Sequence, residues 1–235
     1  MASTLWLLIP LFLLVLLFIL YKATSISFAR MGIPRRWVIP IFASIMIGGL
    51  VNIPLWCSEG GFTGLLSWAK CFFFQPPEVD TVIVAVNLGG AIIPVIISLY
   101  LFRRVPLLKT ALAVAIVAAV AGLLAEVEPG AGITLQFPIL PLVSVGVALI
   151  LAWRDAPAVA FISATIGGLI GVDLIHLGEA IEAGGAYLSI GGRGVFDGIV
   201  TTGIIAAFLA GLLSRRKEPP HSEHGLESSS DKSTS

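Results

Sequence analysis

The sequence predicts an all-α fold: a polytopic transmembrane helix bundle of about seven spans, with the N-terminus outside and the C-terminus cytoplasmic. Three observations carry this. Hydrophobic residues fill 57% of the 235 positions, and the mean hydropathy is +1.01. Charged residues make up 12%, where an ordinary soluble domain has about 25%; so few charges cannot cover a water-facing surface. Finally, apolar stretches long enough to cross a bilayer core, roughly 20 residues for about 30 Å, recur along the whole chain.

The first stretch, residues 4–21, has no charge before it and Lys22 after it. A cleaved signal peptide shows the opposite arrangement, so this reads as a retained span. The second covers residues 37–56, the third 81–102 and the fourth 107–125; residues 111–124 contain no polar side chain. The fifth covers 134–153, the sixth 156–178 and the seventh 194–213. Residues 1–213 then form a single transmembrane domain, and 214–235 a Ser-rich, polar tail read as disordered and cytoplasmic. His221 and His224 in that tail read as solvated residues. Placing the N-terminus outside puts 12 of the 14 basic residues on the inner side, with only Lys70 and Arg193 outside. This is the bias expected of short cytoplasmic loops, and it points to a multi-pass protein of the cell membrane.

Several function classes drop out. The net charge is zero and no basic stripe stands out, which argues against nucleic acid as a partner. Cys57 and Cys71 form no CxxC pair, so a thiolate zinc site or an iron–sulfur cluster is excluded. No metal site is expected. The sequence identifies no cofactor and sets no oligomeric state. Both cysteines face the oxidising side, and whether they are bridged stays open; a bridge would close a loop of about 15 residues, worth about 3 kcal/mol. The segment around them carries Leu65, Leu66, Trp68 and Phe72 to Phe74. It is too apolar for a free loop and reads as interfacial or re-entrant.

The polar residues inside the spans are the strongest pointer to a site. Asn52, Asn87, Gln136, Asp173 and Asp197 all fall in the outer third of their spans. Polar groups at membrane depth are costly, and each is a site hypothesis by default. Asn87 is followed by Gly89, Gly90 and Pro94, and Asn52 by Pro54. Such residues make helix interruption cheap, and broken helices are tolerated at this depth where they line a cavity or are buried in protein. Small residues recur every four positions in the last two spans: Ser163, Gly167 and Gly171, then Gly194, Gly198, Thr202, Ala206 and Ala210. These are ridges for close helix packing.

Asp173 and Asp197 flank the last predicted hairpin. Two carboxylates brought together share a proton and supply an acid and a base, as in aspartyl proteases. The Gly-x-Gly that directly precedes the second aspartate of intramembrane aspartyl proteases is not met by Gly194-Val195-Phe196-Asp197. On an α-helix Asp173 also points away from the Gly171 ridge, so the pair would not meet if that ridge faced the seventh span. Asp173 and His176, three apart, share a helix face and suit a proton relay, or His176 is an ordinary hydrogen-bonded residue. Glu126, Glu128, Glu179 and Glu182 give the outer mouth a negative field, or are solvated loop acids. Arg193 is placed to pair with Asp197.

Three segments resemble a prokaryotic membrane family catalogued as domain of unknown function 1614. They are Asn87-Leu88-Gly89-Gly90-Ala91-Ile92-Ile93-Pro94, Gly167-Gly168-Leu169-Ile170-Gly171-Val172-Asp173-Leu174, and Ser189-Ile190-Gly191-Gly192-Arg193-Gly194-Val195-Phe196-Asp197-Gly198. The resemblance runs from the second span to the seventh. It implies a polytopic membrane protein, supplies no activity, and suggests that the three segments build one site. The function expected is transport or ion and proton binding, with Asn87, Asn52, Asp173, His176 and Asp197 as binding residues. The partners are then the lipid bilayer and a small ion or small-molecule substrate. One alternative is a membrane-embedded hydrolase with Asp173 and Asp197 as catalytic residues. Another is a non-catalytic assembly or sensor protein whose polar residues join helices.

Overall fold

The computed structural model describes residues 2–57, 82–128, 132–136, 138–183, 187–192 and 199–214. The expectations for Cys71 and its bridge to Cys57, for the apolar segment around them, for Arg193 and Asp197, and for the C-terminal tail lie outside the described residues.

The fold is mostly helical. Helix α1 (Ala2–Arg30) is apolar from Leu5 to Leu20 and runs well past the predicted end of the first span. A short turn leads to α2 (Arg35–Gly48). Here the structure departs from the all-α expectation. The outer ends of the second and third predicted spans are strands, β1 (Asn52–Cys57) and β2 (Ile83–Asn87). They pair antiparallel, with Asn52 opposite Asn87. The physical reason is local. Gly48 and Gly49 end α2, Pro54 sits where the β1 register is irregular, and proline is tolerated at edge strands and bulges. The run Ile83-Val84-Ala85-Val86 is apolar and β-branched, which suits a strand buried on both faces as well as a helix. β2 is the central strand: its other neighbour is the parallel β5 (Tyr187–Ile190). Almost the whole of β2 is buried, the condition under which non-helical backbone is tolerated at membrane depth.

After β2 the chain takes one π-helical turn, Leu88–Ile92, and continues as α3 (Ile93–Phe102). Next come α4 (Leu107–Leu124), the hairpin β3 (Glu126–Glu128) and β4 (Gly132–Thr134), and α5 (Ile139–Ala152). A 3-10 turn, Trp153–Asp155, follows Ala152, whose φ of −145° and ψ of 54° break the helix there. α6 (Ala156–Ile162) then packs back on α5 and extends through two π-helical segments, Ser163–Gly167 and Leu169–Leu174. A short α7 (Leu177–Glu182), β5 and α8 (Ile199–Leu213) complete the described chain.

The core is built largely from small residues. Ala113, Ala148, Ala160, Ala164, Ala206 and Ala210 are fully buried in one cluster between α4, α5, α6 and α8, a composition that lets helices approach without a hydrophobic driving force. A second cluster around Phe28, Leu101, Phe161 and Ile162 joins α1 to α3, α6 and α8. The outer surface is the reverse: Leu108, Leu123 and Ile150 are each 83% exposed, which suits contact with hydrocarbon. Phe12–Arg30, Leu107–Leu124 and the run Ile139–Leu174 are long and apolar enough to cross a membrane, and Leu88–Phe102 and Ile199–Leu213 are shorter apolar helices.

Candidate functional site

The site grows from Asn87, which ends β2 and caps the π-helical turn after it. Its side chain is fully buried. Oδ1 accepts from the Gly90 N–H at 2.5 Å, the bond an N-cap residue makes to an orphan donor of the first turn. Nδ2 donates in two directions, to Gly49 O at 2.9 Å and to Asn52 Oδ1 at 3.0 Å. The amide orientation follows from this: the oxygen faces a donor and the nitrogen faces two acceptors. One side chain thereby ties the end of α2, β1 and the start of the third helix together.

Asn52 carries the network onward. Its Oδ1 lies 2.8 Å from Ser189 Oγ on β5, which is also 2.8 Å from Gly192 O. A single hydroxyl proton serves one of these acceptors at a time. Past β5 the chain turns through Gly191 and Gly192, at φ of +91° and +88°, a region that only glycine adopts freely. The Gly191 N–H donates to Asp173 Oδ2 at 2.6 Å. Asp173 lies in the second π-helical segment and is 8% exposed. The polar chain thus runs from Asp173 to the β5 turn, and from Ser189 through Asn52 to Asn87.

Bare backbone closes the junction. A Cβ on Gly89 would collide with Gly49 N and Ile45 O, and one on Gly90 with Gly191 O. These two glycines, read from the sequence as a cheap place to break a helix, also sit at a close backbone approach, with α2 on one side and the β5 turn on the other.

Asn52, Asn87 and Asp173, expected at one depth, are brought into one network. One expectation is corrected. Gln136 is exposed, between β4 and α5, because the fifth helix begins only at Ile139. Of the two readings of His176, the hydrogen-bonded one has support: its Nδ1 lies 3.2 Å from both Gly171 O and Val172 O of its own helix, where the π-helical segment ends. The Gly167–Gly171 ridge, whose partner the sequence left open, faces α4. A Cβ on Gly167 would lie 3.0 Å from Val117 Cβ, and one on Gly171 2.8 Å from Ala121 Cβ. α8 instead meets Thr165 and Gly168, which approach Gly203 and Ile199. Glu126, Glu128, Glu179 and Glu182 are all exposed at the strand end of the molecule.

Ser189 was not singled out as a binding residue, although it opens the third of the three resembling segments, two residues before a Gly-Gly pair, a turn that brings a strand end back on itself. Thr165 and Ser98 were also missed. Both are fully buried, and their hydroxyls have no hydrogen-bond partner, whereas Thr24, Thr110 and Ser144 bond the carbonyl four residues back. Among the described residues, no group of three or more His, Cys, Asp or Glu side chains gathers as a metal site.

No curated protein and no solved structure matches the chain. One family model does, over residues 46–209, from the end of α2 to the middle of α8, and all the polar residues of this network fall within it. The chain belongs to this family, described as Protein of unknown function (DUF1614).

Proposed function

We propose that this chain is a multi-pass protein of the cell membrane in which the network of Asn52, Asn87, Ser189 and Asp173 binds a small cation or a proton during transport. The observation that carries the reading is the junction itself. Four polar side chains on four elements meet where three of those elements change backbone type: helix to strand after α2, strand to helix after β2, and strand to turn after β5. Transporter sites are built this way, from discontinuous elements whose ends present carbonyls, N–H groups and a carboxylate. Seven spans with the N-terminus outside place this junction in the outer half of the bilayer and the basic turns inside, in keeping with the distribution of Lys and Arg.

A second reading is a fixed assembly or sensor protein. It is favoured by the hydrogen bonds that the Asn87 amide already makes, two donated and one accepted, which use both its N–H donors in tying α2, β1 and the π-helical turn together. The hydrolase reading needs Asp197 beside Asp173. Failure of an Asp173→Cys, Asp197→Cys double variant to cross-link would remove it.

Pyranine-loaded proteoliposomes under an imposed pH gradient and membrane potential test the transport reading. The wild-type chain is expected to dissipate the gradient, and Asp173→Asn and Asn87→Ala to lose most of that flux. No flux in the wild type, or unchanged flux in both variants, would leave the assembly reading in its place.

A further inference from the structure

We infer that the end of the bundle opposite the strands is a docking face for the headgroups of anionic phospholipids. This rests on the membrane reading above and adds a specific lipid partner to it. Three turns meet at that end: residues 31–34 between α1 and α2, 103–106 between α3 and α4, and Trp153–Asp155 between α5 and α6. They are joined to one another. Arg104 Nη1 donates to Gly32 O at 3.3 Å. Val105 packs against the Phe28 cluster and also against the cluster holding Ala152 and Ala156. Arg30 lies along the end of α8, where a Cβ on Gly211 would meet its Cδ at 2.5 Å.

Charge and shape at this end suit one ligand. Arg30, Arg35 and Arg36, which flank the first turn, Arg103 and Arg104 on the second and Arg154 on the third are all exposed, with Lys109 at the start of α4. Asp155 is the one carboxylate among the described residues of these turns. Guanidinium groups bind phosphodiester oxygens bidentately. Each turn also sets an aromatic ring next to an arginine. Trp37, 52% exposed, follows Arg36, and Trp153, 48% exposed, precedes Arg154. The Arg104 guanidinium sits 4.5 Å from the Tyr100 ring centre. Leu107 and Leu108, 64% and 83% exposed, stand at the same level. Arginine, aromatic rings and bare leucine at one height match the boundary between headgroups and acyl chains. A polyanion in water or an acidic protein would meet those leucines with nothing to cover them.

The test reconstitutes the full chain in phosphatidylcholine vesicles containing phosphatidylglycerol, with trace spin-labelled forms of each lipid. The association constant of the protein for phosphatidylglycerol is expected to exceed that for phosphatidylcholine severalfold at low salt. It should decline toward equality as salt shortens the screening length from about 10 Å at 0.1 M to about 3 Å at 1 M. Each cation removed is expected to lower the preference by up to about fivefold, so Arg103→Gln, Arg104→Gln, Arg154→Gln together should nearly abolish it. The salt series on the wild type decides the matter if that variant does not fold. Equal association of both lipids, or a preference insensitive to salt, overturns the inference. So does loss of the preference on adding free inorganic phosphate in place of chloride at constant ionic strength, which would indicate a soluble-anion site. Failure of the wild-type chain to incorporate into either vesicle would overturn the membrane reading itself, and this inference with it.

Discussion

Asn87 makes the sharpest test of the junction, because two substitutions there separate a helix cap from a wider network. Asn87→Ala removes the acceptor of the Gly90 N–H, worth about 1 kcal/mol at an N-cap. It also leaves Gly49 O without this donor in a fully buried place, at about 1–3 kcal/mol. Asn52 Oδ1 keeps the Ser189 hydroxyl. The expected loss is therefore about 2–4 kcal/mol. Asn87→Asp keeps the cap oxygen but turns a second acceptor toward both Gly49 O and Asn52 Oδ1. Two opposed acceptor pairs put the loss at about 2–6 kcal/mol before any cost of burying charge. At an ordinary N-cap, Asn and Asp are nearly equivalent. Here the aspartate variant should be at least as unstable as the alanine variant. Equilibrium unfolding of the purified protein in mixed micelles of increasing dodecyl sulfate content, followed by far-ultraviolet circular dichroism, measures both. An Asn87→Asp variant within about 0.5 kcal/mol of the wild type, the scale of a neutral surface change, would refute the network.

Two further outcomes are expected in the same assay. Gly191→Ala forces a side chain into φ of +91° and to 2.7 Å from Ala91 N, and should cost about 2–5 kcal/mol from strain and overpacking together. Gly178→Ala, where a Cβ meets nothing within 4 Å, is its control and should be neutral or slightly stabilising; equal effects at the two positions would mean the close approach at Gly191 is absent. Thr165→Val replaces a buried hydroxyl that lacks a partner and should stabilise by about 1–3 kcal/mol, whereas Ser144→Ala loses the bond to Leu140 O and should cost about 1 kcal/mol. Destabilisation by Thr165→Val would show that this hydroxyl is satisfied after all.

Much of this architecture was legible in the chain because polarity and small residues are scarce in it and therefore conspicuous. Asn52, Asn87 and Asp173 stood out as polar groups at a common depth, and Gly89 and Gly90 as a place where a helix breaks cheaply; all five take part in the junction. The strands were hidden. Ile83-Val84-Ala85-Val86 has no polar alternation, so periodicity cannot tell a doubly buried strand from part of an apolar helix. Gly48-Gly49 and Pro54 were the available signs of a break. The partner of the Gly167–Gly171 ridge was hidden for another reason. A small-residue stripe says that a helix packs closely, but not against which neighbour, and the π-helical segments shift the faces that an α-helical count assigns. The role of His176 depended on the same segments, whose ends leave carbonyls for its ring.

The parallel pairing of β2 with β5 also sets an order on biogenesis. Ile83 waits for Tyr187, 104 positions later in the chain. At synthesis rates of about 5–20 residues per second, β2 is made roughly 5–20 s before the strand that completes its sheet. During that interval one of its edges has no permanent neighbour, and an unpaired edge is not stable in lipid. If the chain spans a membrane as proposed, the nascent hairpin of β1 and β2 must therefore be sheltered, by the insertion machinery or by water at the membrane surface, until most of the remaining helices have been delivered. The junction closes only once β5 has been made, and a chain truncated before β5 would contain Asn52 and Asn87 but not the site.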